Sequence, residues 1–458
     1  MRVIADLHIH SKFSRACSKD LVPEKIAAAA KRKGLQVVAT GDFTHPGWLK
    51  MLKDELVSAG NGLYRLKDLI NPFSLPPHKE ETSLSHPTST YKGEGKSLSD
   101  SPSYKGREPL FLLATEISCI YKKGGRVRRV HHCIFAPDFE TVDKIVAKFE
   151  GLGKNLKSDG RPIIGLDSKD LLKLVLDASP KCMLVPAHAW TPWFAIFGSE
   201  SGFDSLEECF DEMTPHIYAI ETGLSSDPPM NWQLSGLDRI TLISNSDAHS
   251  PDNLAREANV FEIAEKDFGY DEITRIIREK DLKKFLYTIE FFPEEGKYHI
   301  DGHRACSVRM TPEETKKNKG LCPKCKRPVT IGVLNRVAAI ADRPPIRRAS
   351  PPLPGAIPYK SLVPLREIIA ESKNLGKASK AVSIDYENLL REFGSEFRIL
   401  LDVDIEELKN FDRDIAEAVS RVRAGHLTVE PGYDGEYGTV KIWSDKERKK
   451  LDEQGTLF

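Results

Sequence analysis

A succession of short apolar runs in the first 250 residues ends, each time, in a histidine or an acid. Met1-Arg2-Val3-Ile4 reads as a buried strand and runs into Ala5-Asp6-Leu7-His8-Ile9-His10-Ser11. Side chains alternate along a strand, so His8 and His10 share a face and can grip one metal ion together. The apolar run 35–40 ends in Gly41-Asp42-Phe43-Thr44-His45, and the run 109–115 ends in Glu116. Val130-His131-His132-Cys133-Ile134-Phe135-Ala136 is another strand, whose adjacent histidines face opposite sides, so at most one enters a shared site. The run 182–186 leads to His188, and the run 240–244 leads to Asp247-Ala248-His249. Residues 218–223 read as a further strand and turn.

Between the first two strands, residues 22–33 have the pattern of a helix, with Pro23 near the start and Gly34 as the stop. Strand, helix, strand in so short a span is a βα unit and predicts an α/β fold with a parallel sheet. Such folds carry their chemistry at the C-terminal strand ends, where these residues fall. Imidazole and carboxylate without thiolate suit a catalytic metal site. His8, His10, Asp42, His45, Glu116, His131 or His132, His188, Asp247 and His249 exceed the needs of one ion. Two or three divalent ions (Zn, Mn or Mg) sharing carboxylates would use them, and clustered ions suit phosphoester hydrolysis. Asp247, His8, His10 and Glu116 are expected at the reacting centre.

At 458 residues the chain should hold two or three domains. Eight cysteines, irregularly spaced except for one Cys-x-x-Cys, point to a reducing, cytoplasmic setting. No apolar run reaches membrane-spanning length and the start lacks a signal-peptide pattern, so a soluble chain with no membrane partner is expected. Lys+Arg and Asp+Glu are equal at 67, so nucleic-acid contact would depend on local patches. Residues 74–106 are rich in Ser, Pro, Lys and Gly and read as a flexible insertion.

The ordered motifs resemble the PHP (polymerase and histidinol phosphatase) superfamily over roughly residues 1–290. That resemblance implies a PHP-type distorted β/α barrel with a trinuclear metal centre, and it selects His131 over His132. One departure is that two residues separate Asp42 from His45, where the family usually has Asp followed directly by His. A closer resemblance, to the endonuclease Q family, runs nearly end to end. Its carriers include Ser11-Lys12-Phe13-Ser14-Arg15-Ala16, Cys119-Ile120-Tyr121-Lys122-Lys123-Gly124-Gly125, Pro186-Ala187-His188-Ala189-Trp190-Thr191-Pro192-Trp193 and Asp301-Gly302-His303-Arg304-Ala305-Cys306. It implies a metal-dependent endonuclease that nicks double-stranded DNA 5′ of deaminated bases (hypoxanthine, uracil, xanthine) and at abasic sites. The alternative is a PHP-type phosphatase acting on a small phosphorylated metabolite. A non-catalytic DNA-binding scaffold would need a broken metal site.

Substrate contacts are expected from two places. Trp190, Trp193 and Phe194 follow His188 and could wall a pocket for a flat base. Lys122, Lys123 and Arg126 lie in a hairpin-like basic loop, 122–129, that could meet phosphate. Further on, His303-x-x-Cys306 and Cys322-x-x-Cys325 have zinc-ribbon spacing and predict one structural Zn, with His299 as a rival ligand. Residues 316–348 are strongly basic, with Asp342 the single acid, and read as a phosphate-backbone contact. A proline-rich linker, 349–358, precedes a mainly helical stretch, 362–422, and a small hairpin unit, 427–443. The expected division is a catalytic domain at 1–295, a zinc module at 296–345, a mainly helical C-terminal domain at 346–445 and a tail at 446–458. No Gly-rich nucleotide loop with its Lys appears, so no nucleotide cofactor is expected. In the tail, Gln454, Leu457 and Phe458 form a Gln-x-x-Leu-Phe pattern similar to clamp-binding peptides, which makes a sliding clamp a probable partner.

Overall fold

The computed structural model describes residues 1–67, 108–348, 350–444 and 446–448. The insertion at 74–106 and the peptide Gln454, Leu457 and Phe458 lie outside the described residues. The strands are β1 (Arg2–Asp6), β2 (Val37–Ala39), β3 (Leu56–Gly60), β4 (Leu63–Leu66), β5 (Leu110–Lys123), β6 (Arg126–Ala136), β7 (Ile163–Ile164), β8 (Met183–Pro186) and β9 (Ala219–Glu221). They continue as β10 (Thr241–Ile243), β11 (Ala258–Glu262), β12 (Phe285–Glu290), β13 (Asp301–His303), β14 (Val308–Met310), β15 (Tyr359–Ser361), β16 (Thr428–Glu430) and β17 (Thr439–Lys441).

The fold is α/β, a distorted barrel of PHP type with a zinc-type module and a C-terminal helical region. Strands β1, β2 and β5 are parallel neighbours, as the βα reading requires. Beyond them the sheet is mixed rather than parallel. β5 pairs antiparallel with β6 and β6 antiparallel with β8, while β11 runs antiparallel to β1 and to β12. An apolar run marks a buried strand but carries no sign of its direction. The barrel closes through shorter links. The Ala189 N–H donates to Glu221 O (2.9 Å), β9 pairs parallel with β10, and Ile9 bridges Ala248. The strand ends holding the histidines and acids thus form a ring.

The central strands read as unbroken apolar runs because they are buried on both faces and need no polar side. Val3, Val37, Val38, Leu112, Ile134 and Val185 are all fully buried. The helix Pro23–Lys33 begins with proline and ends on left-handed Gly34, as its sequence predicts. Two further elements, not among the expectations above, are the helix Phe139–Gly151, capped by Asp138, and the β3–β4 hairpin.

The basic loop expected at 122–129 is mostly strand. The β5–β6 ladder is unbroken to Lys123 opposite Arg126, which leaves only Gly124-Gly125 as the turn. Arg128 is buried on this ribbon, its guanidinium 4.2 Å from the Phe203 ring centroid.

The chain after the module at 298–340 rejoins the main sheet, where β15 pairs parallel with β12. Five helices follow between Leu365 and Ala424, then the β16–β17 hairpin. They dock on the barrel through a buried ion pair, Lys33 Nζ to Glu396 Oε2 at 2.8 Å, and Tyr386 O–H donates to the same oxygen. Losing one partner would strand the other charge in the interior, at a cost of about 3–5 kcal/mol. Among the described residues no helix is long and apolar enough to cross a membrane.

Candidate metal centre

Glu116, at the middle of β5, is the hinge of the site. Its Oε2 lies 3.2 Å from His10 Nε2 and 3.7 Å from His8 Nε2. Its Oε1 lies 2.7 Å from His131 Nδ1 and 3.1 Å from His188 Nε2. Asp247 completes the first side, with Oδ1 3.0 Å from His10 Nε2 and 3.7 Å from His8 Nε2. Two ligand groups therefore share one carboxylate: His8, His10, Glu116 and Asp247 on one side, Glu116, His131 and His188 on the other.

The donor set fits divalent ions on a further observation. His8 Nε2, His10 Nε2 and Asp247 Oδ1 are buried and make no hydrogen bond. His10 Nε2 and Asp247 Oδ1 are close enough to bond but are not oriented to do so. Unsatisfied atoms cost free energy in an interior unless something fills the gap between them. Ligand atoms within 4.8 Å of one another, three of them without a hydrogen bond, describe a candidate cation site.

Behind the ligands sit acids that orient them. His10 Nδ1–H meets Asp42 Oδ1 at 3.0 Å, and Asp42 also accepts from the Ser11 N–H and the Ser14 hydroxyl. His8 Nδ1–H meets Glu221 Oε1 at 3.0 Å, while Glu221 accepts from the His188 N–H and from Asn245. Such carboxylate–histidine pairs fix the imidazole and aim its other nitrogen. Burial pushes the His131 pKa down to about 4 despite the pull of Glu116. Burial opposes the Glu116 charge, but His131 and Arg161 outweigh it and hold the carboxyl well below its usual range.

The backbone is bent to make this arrangement. Asp42, His188 and Asp247 take left-handed φ values of 48°, 31° and 47°. Each such residue costs about 1–3 kcal/mol and persists where function requires it. A Cβ at Gly223 would come within 2.6 Å of His188 Cβ, so only glycine lets the β9 turn press against that ligand.

Several expected residues stand elsewhere. His45 caps the helix Pro46–Glu55, accepting from Trp48 N–H, and its ring stacks on Phe13 at 4.3 Å. It is not in either ligand group. His249 lies beside the site, its ring 4.7 Å from His10's and Nδ1 2.8 Å from the Asp247 carbonyl. His132 faces away and pairs with the Ser168 hydroxyl. Trp190, expected in a pocket wall, is instead core: 1% exposed, with Nε1–H donating to Asn231. Phe194 is half-buried with its ring 4.8 Å from His131, and Trp193 is 41% exposed against Tyr298. Lys122 and Arg126 are exposed, whereas Lys123 is held by Asp211 at 2.9 Å.

Residues that sequence reasoning missed are Glu221, the last residue of β9, and Cys133, grouped with His8 and Glu221. Arg161 was missed as well, and its Nη1 donates to Glu116 Oε2 at 3.1 Å.

A second cluster brings His303, Cys306, Cys322 and Cys325 together at the β13–β14 hairpin and the turn at 322–325. Burial opposes the Cys322 thiolate, but the Cys325 and Lys324 N–H groups and His303 bring its pKa down to about 6. His299 is not in this group, being buried with Nδ1 unpartnered. The basic stretch expected to meet phosphate is divided. Arg336, Arg343 and Arg348 turn inward to Asp204, Asp238, and Asp227 with Glu294. Lys316, Lys317, Lys319, Lys326 and Arg327 remain exposed around the cysteine cluster.

The MJ0043 C-terminal domain family matches residues 364–426. An uncharacterised protein of Methanocaldococcus jannaschii is 31% identical over 57% of this chain, which spans about a third (32%) of that protein's length. The uncharacterised protein YqxK of Bacillus subtilis is 27% identical over 96% of this chain and 99% of its own. The lesion-specific endonuclease PfuEndoQ of Pyrococcus furiosus is 29% identical over 100% of this chain and 99% of its own, with a TM-score of 0.78. A structure of endonuclease Q with a 27-mer duplex bearing an abasic lesion at the active site is 30% identical over 97% and 98%, with a TM-score of 0.76.

Proposed function

The chain belongs to the endonuclease Q family, and from that membership we propose that it is a metal-dependent DNA repair endonuclease. It nicks the strand 5′ of deaminated bases (hypoxanthine, uracil, xanthine) and at abasic sites, by phosphodiester hydrolysis. The observation that carries this reading is the cluster bridged by Glu116, with its buried, unsatisfied ligand atoms. His8, His10, Glu116 and Asp247 would hold one divalent ion, and Glu116, His131 and His188 another, with Zn, Mn and Mg the candidates and His249 and His45 outside these groups. Bound there, such ions would activate water and neutralise phosphate charge. The chain's own part is orientation. Asp42 and Glu221 fix His10 and His8, and the buried ring of strand ends keeps the ligands' charges in a low-dielectric setting where they act strongly.

An enzyme that inspects a base must take it out of the stack, at a cost of roughly a few kcal/mol. A cavity of about 200 Å³ next to the site, lined by Thr191, Pro192, Trp193, Tyr298, His299 and Val333, supports that step. Thr191 joins it to the metal ligands, its hydroxyl lying 3.3 Å from His188 Nδ1. Trp193 and Phe194 supply aromatic surface, and Lys122 and Arg126 on the exposed hairpin supply charge for the backbone. We assign residues 1–295 to catalysis, 296–345 to a module held by one structural Zn on His303, Cys306, Cys322 and Cys325, and 346–445 to a helical domain. Eight free cysteines suit a reducing cytoplasm. Gln454, Leu457 and Phe458 would tether the enzyme to a sliding clamp and raise its effective concentration on DNA.

The test is a duplex carrying one deoxyinosine or one abasic site, incubated with protein and Mn²⁺, with the product strand sized. A single nick 5′ of the lesion is expected. Hydrolysis of small phosphomonoesters with no nick would transfer the site to the phosphatase reading. Deleting 454–458 should remove clamp stimulation alone, and equal stimulation of both forms would dismiss the tether.

A further inference from the structure

We propose that Arg161 is a catalytic residue of this site, a guanidinium that holds a non-bridging oxygen of the scissile phosphate. The inference rests on the phosphodiester-hydrolysis reading above. Arg161 lies on the segment between the helix Phe139–Gly151 and β7, far in sequence from the strand-end motifs. Its Nη1 donates to Glu116 Oε2, the oxygen that also faces His10. Among the described residues this is its single recorded side-chain hydrogen bond, so most of the fork's five donors are uncommitted. The side chain is 26% exposed, which places it at the mouth rather than in the core.

The segment is built to hold the guanidinium there. The Arg161 N–H donates to Asp159 Oδ1, and Asp159 also ties down Arg15. Pro162 O accepts from the Ser118 N–H of β5, two residues beyond Glu116. The Gly160 N–H donates to Phe13 O, and a Cβ on Gly160 would fall 2.3 Å from Asp42 Oδ2. Only glycine lets this segment lie against the acid behind His10, and that contact carries Arg161 over the ligand cluster.

A purely structural cation makes little sense at this position. Glu116 already has His10, His131 and His188 around it, and a guanidinium on Oε2 competes with an ion for a ligand oxygen. A planar fork that reaches from a ligand carboxylate into an open mouth matches a phosphate dianion or diester, which takes two N–H donors side by side. In hydrolysis the oxygen of water bonds to phosphorus and the bond to one ester oxygen breaks. That ester oxygen takes one of the water's protons, and the other leaves from the new phosphate. Negative charge grows on the non-bridging oxygens as this happens, and a fixed guanidinium beside them stabilises the transition state more than the bound substrate.

The test uses the full-length Mn²⁺-loaded protein and the variants Arg161→Gln and Arg161→Lys, each checked for metal content and thermal melting. Inorganic phosphate binding is measured by calorimetry, duplex affinity by retention, and single-turnover hydrolysis on abasic duplex and on bis(p-nitrophenyl) phosphate. Arg161→Gln should keep its metal and its duplex affinity, bind phosphate about tenfold more weakly and hydrolyse about 100-fold more slowly. Arg161→Lys should recover part of both losses, having charge without the fork. Wild-type phosphate affinity and rate in Arg161→Gln would overturn the proposal. So would losses that merely track lost metal, because Arg161 would then only support Glu116. A wild type that hydrolyses the small diester through Arg161 yet leaves lesion DNA uncut would sink the lesion reading and leave this one standing.

Discussion

His8, His10 and Asp247, just past strand ends, converge inside the barrel on Glu116 in the middle of β5, whereas His303, Cys306, Cys322 and Cys325 converge from two short turns on an exposed module. The first set is oxygen and nitrogen, shares Glu116 with a second group, and has acids waiting behind its histidines. The second is mostly sulfur, holds four ligands with none in reserve, and has exposed lysines around it. Shared carboxylates and surplus ligands leave room for a substrate to enter a coordination shell, and four closed ligands do not. Similar local ligand density thus suits chemistry in one place and shape in the other.

Asp247→Asn is the sharpest way to break this contrast. It removes an anionic ligand at nearly constant volume, so lesion nicking should vanish while the melting curve and duplex binding stay close to wild type. Full activity would remove Asp247 from the centre. Cys325→Ser should do the reverse: one zinc equivalent lost by metal analysis, the module at 298–330 open to protease, and nicking reduced but measurable. Glu221→Gln disturbs the support of His8 and His188, along with the bond from Asn245, and should weaken metal affinity about 10–100-fold, read by titration against a chelator.

The barrel side also has a pH signature of its own, carried by Glu290 on β12. Burial raises Glu290 from 4.5 to about 8, against the hydroxyls of Thr288 and Thr222. The folded state therefore keeps a proton that the unfolded chain releases. Its contribution is complete below about pH 4.5 and is lost as pH rises through about 8. The wild-type melting temperature should fall over that window, and Glu290→Gln should flatten the fall. Smallest of all, His45→Ala should cost about 1 kcal/mol of stability as a lost helix cap and leave nicking nearly unchanged.

Much of the site was legible because its ligands follow a rule of position. His8 and His10 share a face by strand alternation, and Glu116, His188 and Asp247 each follow an apolar run. Glu221 obeys the same rule at the end of β9 and could have been counted. His45, expected as a ligand, caps a helix, and Pro46 at the first helical position is the sequence mark of that cap. Arg161 left no trace, since a residue that reaches its partner across 45 positions has no local pattern to betray it. Strand direction was equally hidden. A run such as 130–136 says that a strand is buried but not which neighbour it joins, and that choice is made by tertiary packing.

The placement of β1 has a consequence for the chain while it is being made. This first strand sits between β2 and β11, and Asp6 accepts hydrogen bonds from Ser246 and Ala255. Arg2 finds its partner, Asp402, 400 residues later. A ribosome-bound chain that has not yet delivered Asp247 lacks a ligand, and one that has not delivered β11 lacks the neighbour that seats His8 and His10. The metal centre proposed above therefore cannot be complete in a nascent chain before β10, Asp247 and β11 have been made and have met β1.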